Sequence, residues 1–141
     1  MRKKILVIED DRSYTRLAEY TLSEAGYDVL LAHDGFEGLS KTIKELPDLI
    51  ILDAILPGID GIDVCRWLRA NAKTSDVPII VVSAKMQQEG WDKACDYGAD
   101  CFLHKPMEPS LMLEMVADLT SDTSNLDTFW PLSGQFAEYA S

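Results

Sequence analysis

Basic residues are scarce in this chain: 13 Lys and Arg face 24 Asp and Glu, a formal net charge of −11. So negative a surface repels phosphate backbones and anionic lipid while attracting cations, which counts against direct binding to nucleic acid or to a membrane. Cysteine is rare too. Cys65, Cys95 and Cys101 are odd in number and form no CxxC pair, so neither a disulfide framework nor a zinc site is indicated, and a reducing, cytoplasmic setting fits best. No apolar run is long enough to cross a bilayer. Met1-Arg2-Lys3-Lys4 is a signal-peptide-like start, but the apolar stretch behind it ends at Glu9, which predicts an unexported protein. There is no GxGxxG loop, which removes a dinucleotide site.

What the chain does have is enough apolar content, 47% of 141 residues, for one compact domain plus a short extension. The central stretch is Leu49-Ile50-Ile51-Leu52-Asp53, an apolar run closed by a carboxylate and followed by Pro57-Gly58. It reads as a strand buried on both faces. A charge at the end of such a strand is costly without a partner, so Asp53 is either a turn-capping residue or the centre of a site.

In order, the chain alternates strand and helix signals. Strands are predicted at 5–8, 28–32, 49–53, 77–83 and 100–103, and helices at 12–25, 36–45, 62–72, 86–97 and 108–119. In the first helix Tyr14, Leu17, Ala18, Thr21, Leu22 and Ala25 share one face, with Gly26 placed as its C-terminal cap. Strands that are apolar throughout, alternating with helices, imply a doubly wound α/β domain whose parallel sheet is covered on both sides. Ligands of such sheets bind outside the carboxyl ends of the strands.

Those ends carry Glu9 and Asp10, Asp53, Ser83 and Lys105. Singly, each has an ordinary reading: the acids and Ser83 can cap turns or helices, and Lys105 can be solvated. Jointly they put several negative charges on one rim, which is unfavourable unless a cation sits among them, and hard oxygen ligands suit Mg²⁺. A carboxylate beside Mg²⁺, faced by a lysine and a hydroxyl, is what phosphoryl transfer onto Asp53 requires.

The set Glu9-Asp10, Asp53 followed by Pro57-Gly58, Ser83-Ala84 and Lys105-Pro106 resembles the receiver domain of bacterial two-component response regulators, over roughly residues 3 to 120. The resemblance implies a flavodoxin-like sheet of five strands in the order 2-1-3-4-5 with five helices. It implies that Asp53 is the phosphoacceptor, supplied by a sensor histidine kinase, a phosphotransfer protein or, more slowly, a small phosphodonor. Glu9, Asp10, Asp53 and the backbone carbonyl of Ile55 would hold Mg²⁺ or Mn²⁺, with Asp11 supporting them or capping the helix. Lys105 would pair with the phosphoryl group, preceding a cis bond to Pro106. Ser83 would be the switch hydroxyl and Phe102 the switch aromatic, although plain core packing also accounts for Phe102.

Such a domain is a phosphoacceptor switch rather than an enzyme, its only chemistry being its own phosphorylation and dephosphorylation. Phosphorylation would shift the packing of the predicted fourth helix, fifth strand and last helix, presenting that face to a downstream protein or a fused output domain. The alternative is a constitutive interaction module that is little phosphorylated.

Particular residues depart from the family pattern. Ser83 stands where threonine is commoner, and Ile55 and Lys85 flank the phosphoryl position, where they tune access of hydrolytic water. The last helix carries no Lys or Arg, which argues against the charge-paired dimer of winged-helix regulators and leaves a Met-rich face for another partner. A homodimer through the face of the predicted fourth helix, fifth strand and last helix, or through the tail, stays open. Residues 1–120 are assigned to the receiver domain and 121–141 to a C-terminal extension or linker. Phe129-Trp130-Pro131-Leu132, Phe136 and Tyr139 give that extension an aromatic cluster that can dock on its own domain, exchange with a second subunit or begin a further domain. Two rivals fail on the residues. A haloacid-dehalogenase-type phosphatase needs an acid where Ile55 stands, and a flavodoxin-like cofactor binder needs a phosphate loop where Glu9-Asp10-Asp11 stands.

Overall fold

The computed structural model describes residues 2–84, 98–106 and 108–121. In it β1 spans Lys4–Ile8, α1 Arg12–Glu24, β2 Asp28–Ala32, α2 Gly35–Glu45 and β3 Leu49–Asp53. α3 follows at Gly61–Ala70, β4 at Ile79–Ser83, β5 at Cys101–His104 and α4, the last helix, at Pro109–Thr120. The predicted helix over 86–97, Lys85, Cys95 and residues 122–141 lie outside the described residues.

The strands form one parallel sheet in the order β2-β1-β3-β4-β5, the flavodoxin-like arrangement. Successive side chains of a strand point to opposite faces, so each apolar run feeds two cores at once. Ile5, Val7, Ile51, Val82 and Leu103 pack on the side of α1 and α4. Leu6, Ile8, Leu52, Val81 and Phe102 pack on the side of α3. β3 is buried at all five positions, Asp53 included, whereas β2, at the sheet edge, buries only Ala32 fully.

Helix ends follow local chemistry. Asp11, Asp34 and Asp60 each accept backbone N–H bonds as N-caps, offsetting donors the first turn leaves unpaired. α1 ends as predicted at Gly26, whose φ of 100° lets its N–H reach Ser23 and the Tyr27 N–H reach Leu22. β4 begins two residues later than predicted because Pro78 has no N–H to offer, though its carbonyl still accepts from Ile50 at 2.9 Å.

Two expectations are corrected. The buried stripe of α1 is Thr15, Ala18 and Leu22, whereas Leu17 is 49% exposed and Ala25 lies at the surface. Thr15 can go inward because its hydroxyl donates to the Arg12 carbonyl at 3.1 Å. The methionines of α4 are not a free docking face: Met112 and Met115, with Val116, are buried in the core beside α1.

A single guanidinium ties the base of the sheet. Arg69 on α3 donates to the carbonyls of Gly98 at 2.8 Å and Val77 at 2.7 Å, and pairs with Asp100 at 2.7 Å. The same Asp100 oxygen accepts the Ile79 N–H at 2.8 Å, so the starts of β4 and β5 are joined through one side chain.

Candidate functional site

The parallel register decides which side chains meet. Ile8 pairs with Leu52, which brings Glu9 and Asp53 side by side at the carboxyl ends of β1 and β3. Ser83 pairs with His104, and the Lys105 N–H donates to the Ser83 carbonyl at 3.0 Å, which carries Lys105 to the same rim. The Lys105–Pro106 peptide bond is cis.

Lys105 is the hub. Its ammonium donates to Asp53 Oδ2 at 3.1 Å and also to Glu9 Oε1. Glu9 and Asp53 are 1% and 6% exposed, and burying two carboxylates costs several kcal/mol each unless something compensates. Here the shared ammonium offsets that cost. The remaining oxygens are fixed by backbone: Asp53 Oδ1 accepts from Ile55 N–H at 3.0 Å, and Glu9 Oε2 from Asp11 N–H at 3.1 Å.

The electrostatics follow from this crowding. Burial, and then the hydrogen bond and like charge of Asp53, push the Glu9 carboxyl up to about 7, against the opposing bonds from Lys105 and Asp11. Burial works against the Lys105 charge, but the bonds and attraction of Glu9 and Asp53 overcome it and raise its affinity for the proton.

Glu9, Asp10 and Asp53 each offer a carboxylate oxygen, all within 4.8 Å of one another. Two of these acids are buried and Asp10 is exposed, so the set is a hard oxygen cluster open to solvent on one side. That chemistry fits Mg²⁺ or Mn²⁺, ions that keep waters and accept phosphate oxygens.

A cavity of about 310 Å³ opens above these acids, lined also by Ser83, Ala84 and Ile55. Ser83 is 1% exposed, and Ile55 stands at the mouth, 58% exposed. Asp11 faces the cavity too, but its Oδ1 is engaged as the α1 N-cap, accepting from Ser13 at 2.9 Å. Phe102 is fully buried in the core on the α3 side, edge-on to His104 with centroids 5.6 Å apart. Lys85 lies outside the described residues.

Sequence reasoning gave two further residues no role in the site. Gly61 comes so close to the end of β3 that a Cβ there would lie 2.1 Å from the Asp53 carbonyl oxygen, so only hydrogen fits. Its place directly after Asp60, in the loop that leaves Asp53, was the available signal. Tyr14, read as core, lays its ring against the Lys105 ammonium, 4.6 Å from the centroid. No spacing rule could reveal that, because Tyr14 and Lys105 meet only through the tertiary fold.

Comparison with known proteins gives the family. The family model described as response regulator receiver domain matches residues 5–117. The alkaline phosphatase synthesis transcriptional regulatory protein PhoP of Bacillus subtilis is 45% identical over 111 residues, covering 77% of this chain and 45% of that protein. The DNA-binding dual master transcriptional regulator RpaA of Synechocystis is 38% identical over 123 residues, covering 87% of this chain and 51% of its own length. The chain thus spans about half the length of these relatives. Among solved structures, the Vibrio cholerae chemotaxis protein CheY4 superposes with a TM-score of 0.80 at 28% identity, over 84% of this chain and 99% of that one. With its fold, its rim of acids and lysine, and these relatives in agreement, the chain belongs to the response regulator receiver domain family.

Proposed function

We propose that Asp53 is a phosphoacceptor, taking a phosphoryl group from the phosphohistidine of a sensor histidine kinase or phosphotransfer protein, or from a small phosphodonor. The observation that carries this reading is the Lys105 ammonium held 3.1 Å from a buried Asp53 oxygen at the floor of an open acidic cavity. An Asp53 carboxylate oxygen attacks phosphorus, the phosphorus–nitrogen bond breaks, and its electron pair returns to the imidazole, leaving an aspartyl phosphate. In a separate step water attacks phosphorus, the bond from phosphorus to the Asp53 oxygen breaks, and inorganic phosphate leaves with the carboxylate restored.

Glu9, Asp10, Asp53 and the Ile55 carbonyl would hold Mg²⁺ or Mn²⁺, which when bound supplies positive charge for the phosphoryl oxygens. Lys105 supplies a second positive charge and orients toward the new group. Ser83 donates its hydroxyl to a phosphoryl oxygen. The departing Ser83 side chain leaves space beside Phe102, which couples the event to the face built by β5, α4 and the segment before β5. A downstream protein or a fused output domain reads that face, and a homodimer through it or through the tail is one form of the output.

Residues 1–120 act as the receiver domain and 121–141 as a C-terminal extension or linker. The charge of −11 disfavours direct nucleic-acid contact by this chain, and a cytoplasmic setting fits the reading.

Labelling with radioactive acetyl phosphate tests the assignment. Mg²⁺-dependent incorporation that disappears in Asp53→Asn is expected. No incorporation into wild type, or undiminished incorporation into the variant, overturns it. Absent incorporation with partner binding indifferent to Asp53→Asn would instead favour a constitutive interaction module.

A further inference from the structure

The Lys105 ammonium has three N–H groups, and the structure accounts for two of them on Glu9 and Asp53. Its remaining side faces the Tyr14 ring, with Nζ 4.6 Å from the centroid. The Lys105 side chain is only 16% exposed, so little water is available to replace what the ring provides. A cation over an aromatic face is attracted by the negative quadrupole of the ring, and the attraction grows as the pair is desolvated. Tyr14 Oη is itself buried without a hydrogen-bond partner among the described residues, so the phenol is not anchored through its hydroxyl. Packing holds it, against the core that α1 shares with α4.

From this geometry we infer that Tyr14 is a positioning residue for phosphoryl transfer: its ring face holds the Lys105 ammonium over Asp53. The contact has no preferred direction about the ring normal, unlike a third hydrogen bond. Lys105 can therefore turn from the Asp53 carboxylate toward an incoming phosphoryl group without losing its partner on that side. An aliphatic residue at position 14 fills space but offers no negative face, so the ammonium is held by the carboxylates alone.

This inference rests on Asp53 being the phosphoacceptor, and the test separates the two. Because the hydroxyl is unpartnered, Tyr14→Phe is a fair parent for a series in which 4-fluoro-, 3,5-difluoro- and 3,4,5-trifluorophenylalanine occupy position 14. Fluorination drains the ring face with little change of volume, so a purely space-filling role is indifferent to it. Two quantities are read: the initial rate of Mg²⁺-dependent labelling by acetyl phosphate, and the melting temperature of the metal-free protein.

Expected, relative to the Tyr14→Phe parent, are a stepwise fall in both readouts along the series and a loss of rate of about threefold or more at trifluorination. A labelling rate that is flat along the series overturns the positioning role, whether or not the melting temperature falls. Should wild type take no label at all, the phosphoacceptor reading fails on its own account, and the melting temperatures decide the Tyr14–Lys105 contact: a stepwise fall supports it and a flat series overturns it. Tyr14→Leu is expected to match or exceed the trifluorinated variant in lost rate.

Discussion

Lys105 Nζ lies 3.1 Å from Asp53 Oδ2, joining residues 52 positions apart in sequence, and the same nitrogen also bonds Glu9, 96 positions away. One cation thus faces two carboxylates at the ends of two different strands, which leaves the pair one negative charge in excess. Removing it leaves two buried negative charges facing each other. Lys105→Met is therefore expected to lower the stability of the metal-free protein by about 3–5 kcal/mol, and Mg²⁺ is expected to restore a large part of that loss. Urea denaturation with and without Mg²⁺ measures both effects. An unchanged midpoint without metal would show that the Lys105 contacts are not what lets the two acids stay buried.

The position of Glu9 would give the proposed metal binding a pH dependence. Its folded-state value of about 7 lies above its ordinary 4.5, so the folded metal-free protein binds the proton more tightly than the unfolded chain does. Stability from this group is therefore lost as pH rises from about 4.5 to about 7, and is not recovered above it. A metal ligand must shed its proton, so Mg²⁺ affinity is expected to fall below pH 7, by up to about tenfold per pH unit, and to level off above it. Calorimetry in buffers of different ionisation enthalpy is expected to count close to one proton released at about pH 6 and almost none at about pH 8. Glu9→Gln should abolish the release along with much of the affinity.

Gly61 butts against the backbone of Asp53. Gly61→Ala must displace a carbonyl oxygen that a new Cβ would approach to 2.1 Å, and backbone is not a flexible obstacle. A loss of about 1–3 kcal/mol is expected. A labelling rate below wild type in protein that is still fully folded by circular dichroism is also expected, because the displaced atom belongs to the proposed phosphoacceptor. Full labelling by the folded variant would show that Asp53 tolerates the shift.

Ile55 stands exposed at the mouth of the cavity, with its N–H on Asp53 Oδ1. Ile55→Ala keeps that backbone bond and removes only the bulk. Loss of phosphate from the labelled protein is expected to be several-fold faster in the variant, since water then approaches phosphorus more freely. Equal rates would remove steric shielding by this side chain.

Much of this architecture was legible beforehand, for a physical reason. A strand buried on both faces must be apolar from end to end, so Leu49 to Leu52 and Ile79 to Val82 announce themselves, and the polar residue that follows marks the rim. Strand ends were therefore readable as a group, and the structure brings Glu9, Asp10, Asp53 and Lys105 together there. What escaped were properties set by the opposite partner. Helical spacing could not tell Leu17 from Thr15 as the inward residue of α1, because the choice depends on what the sheet presents. The methionines of α4 looked like a surface because their partner, α1, is a hundred residues away in sequence. Tyr14 looked like core for the same reason, and it is core on one side only.

Arg69 has a mechanical consequence. By fastening the Gly98 carbonyl, Asp100 and the Val77 carbonyl to α3, it gives β5 one nailed end, while the other end carries Lys105. A strand pinned at its foot can tilt but cannot slide, so a pull on Lys105 is delivered as leverage about a fixed pivot. Amide exchange at Asp100 and Cys101 is accordingly expected to stay unchanged on phosphorylation while that of His104 and Lys105 changes.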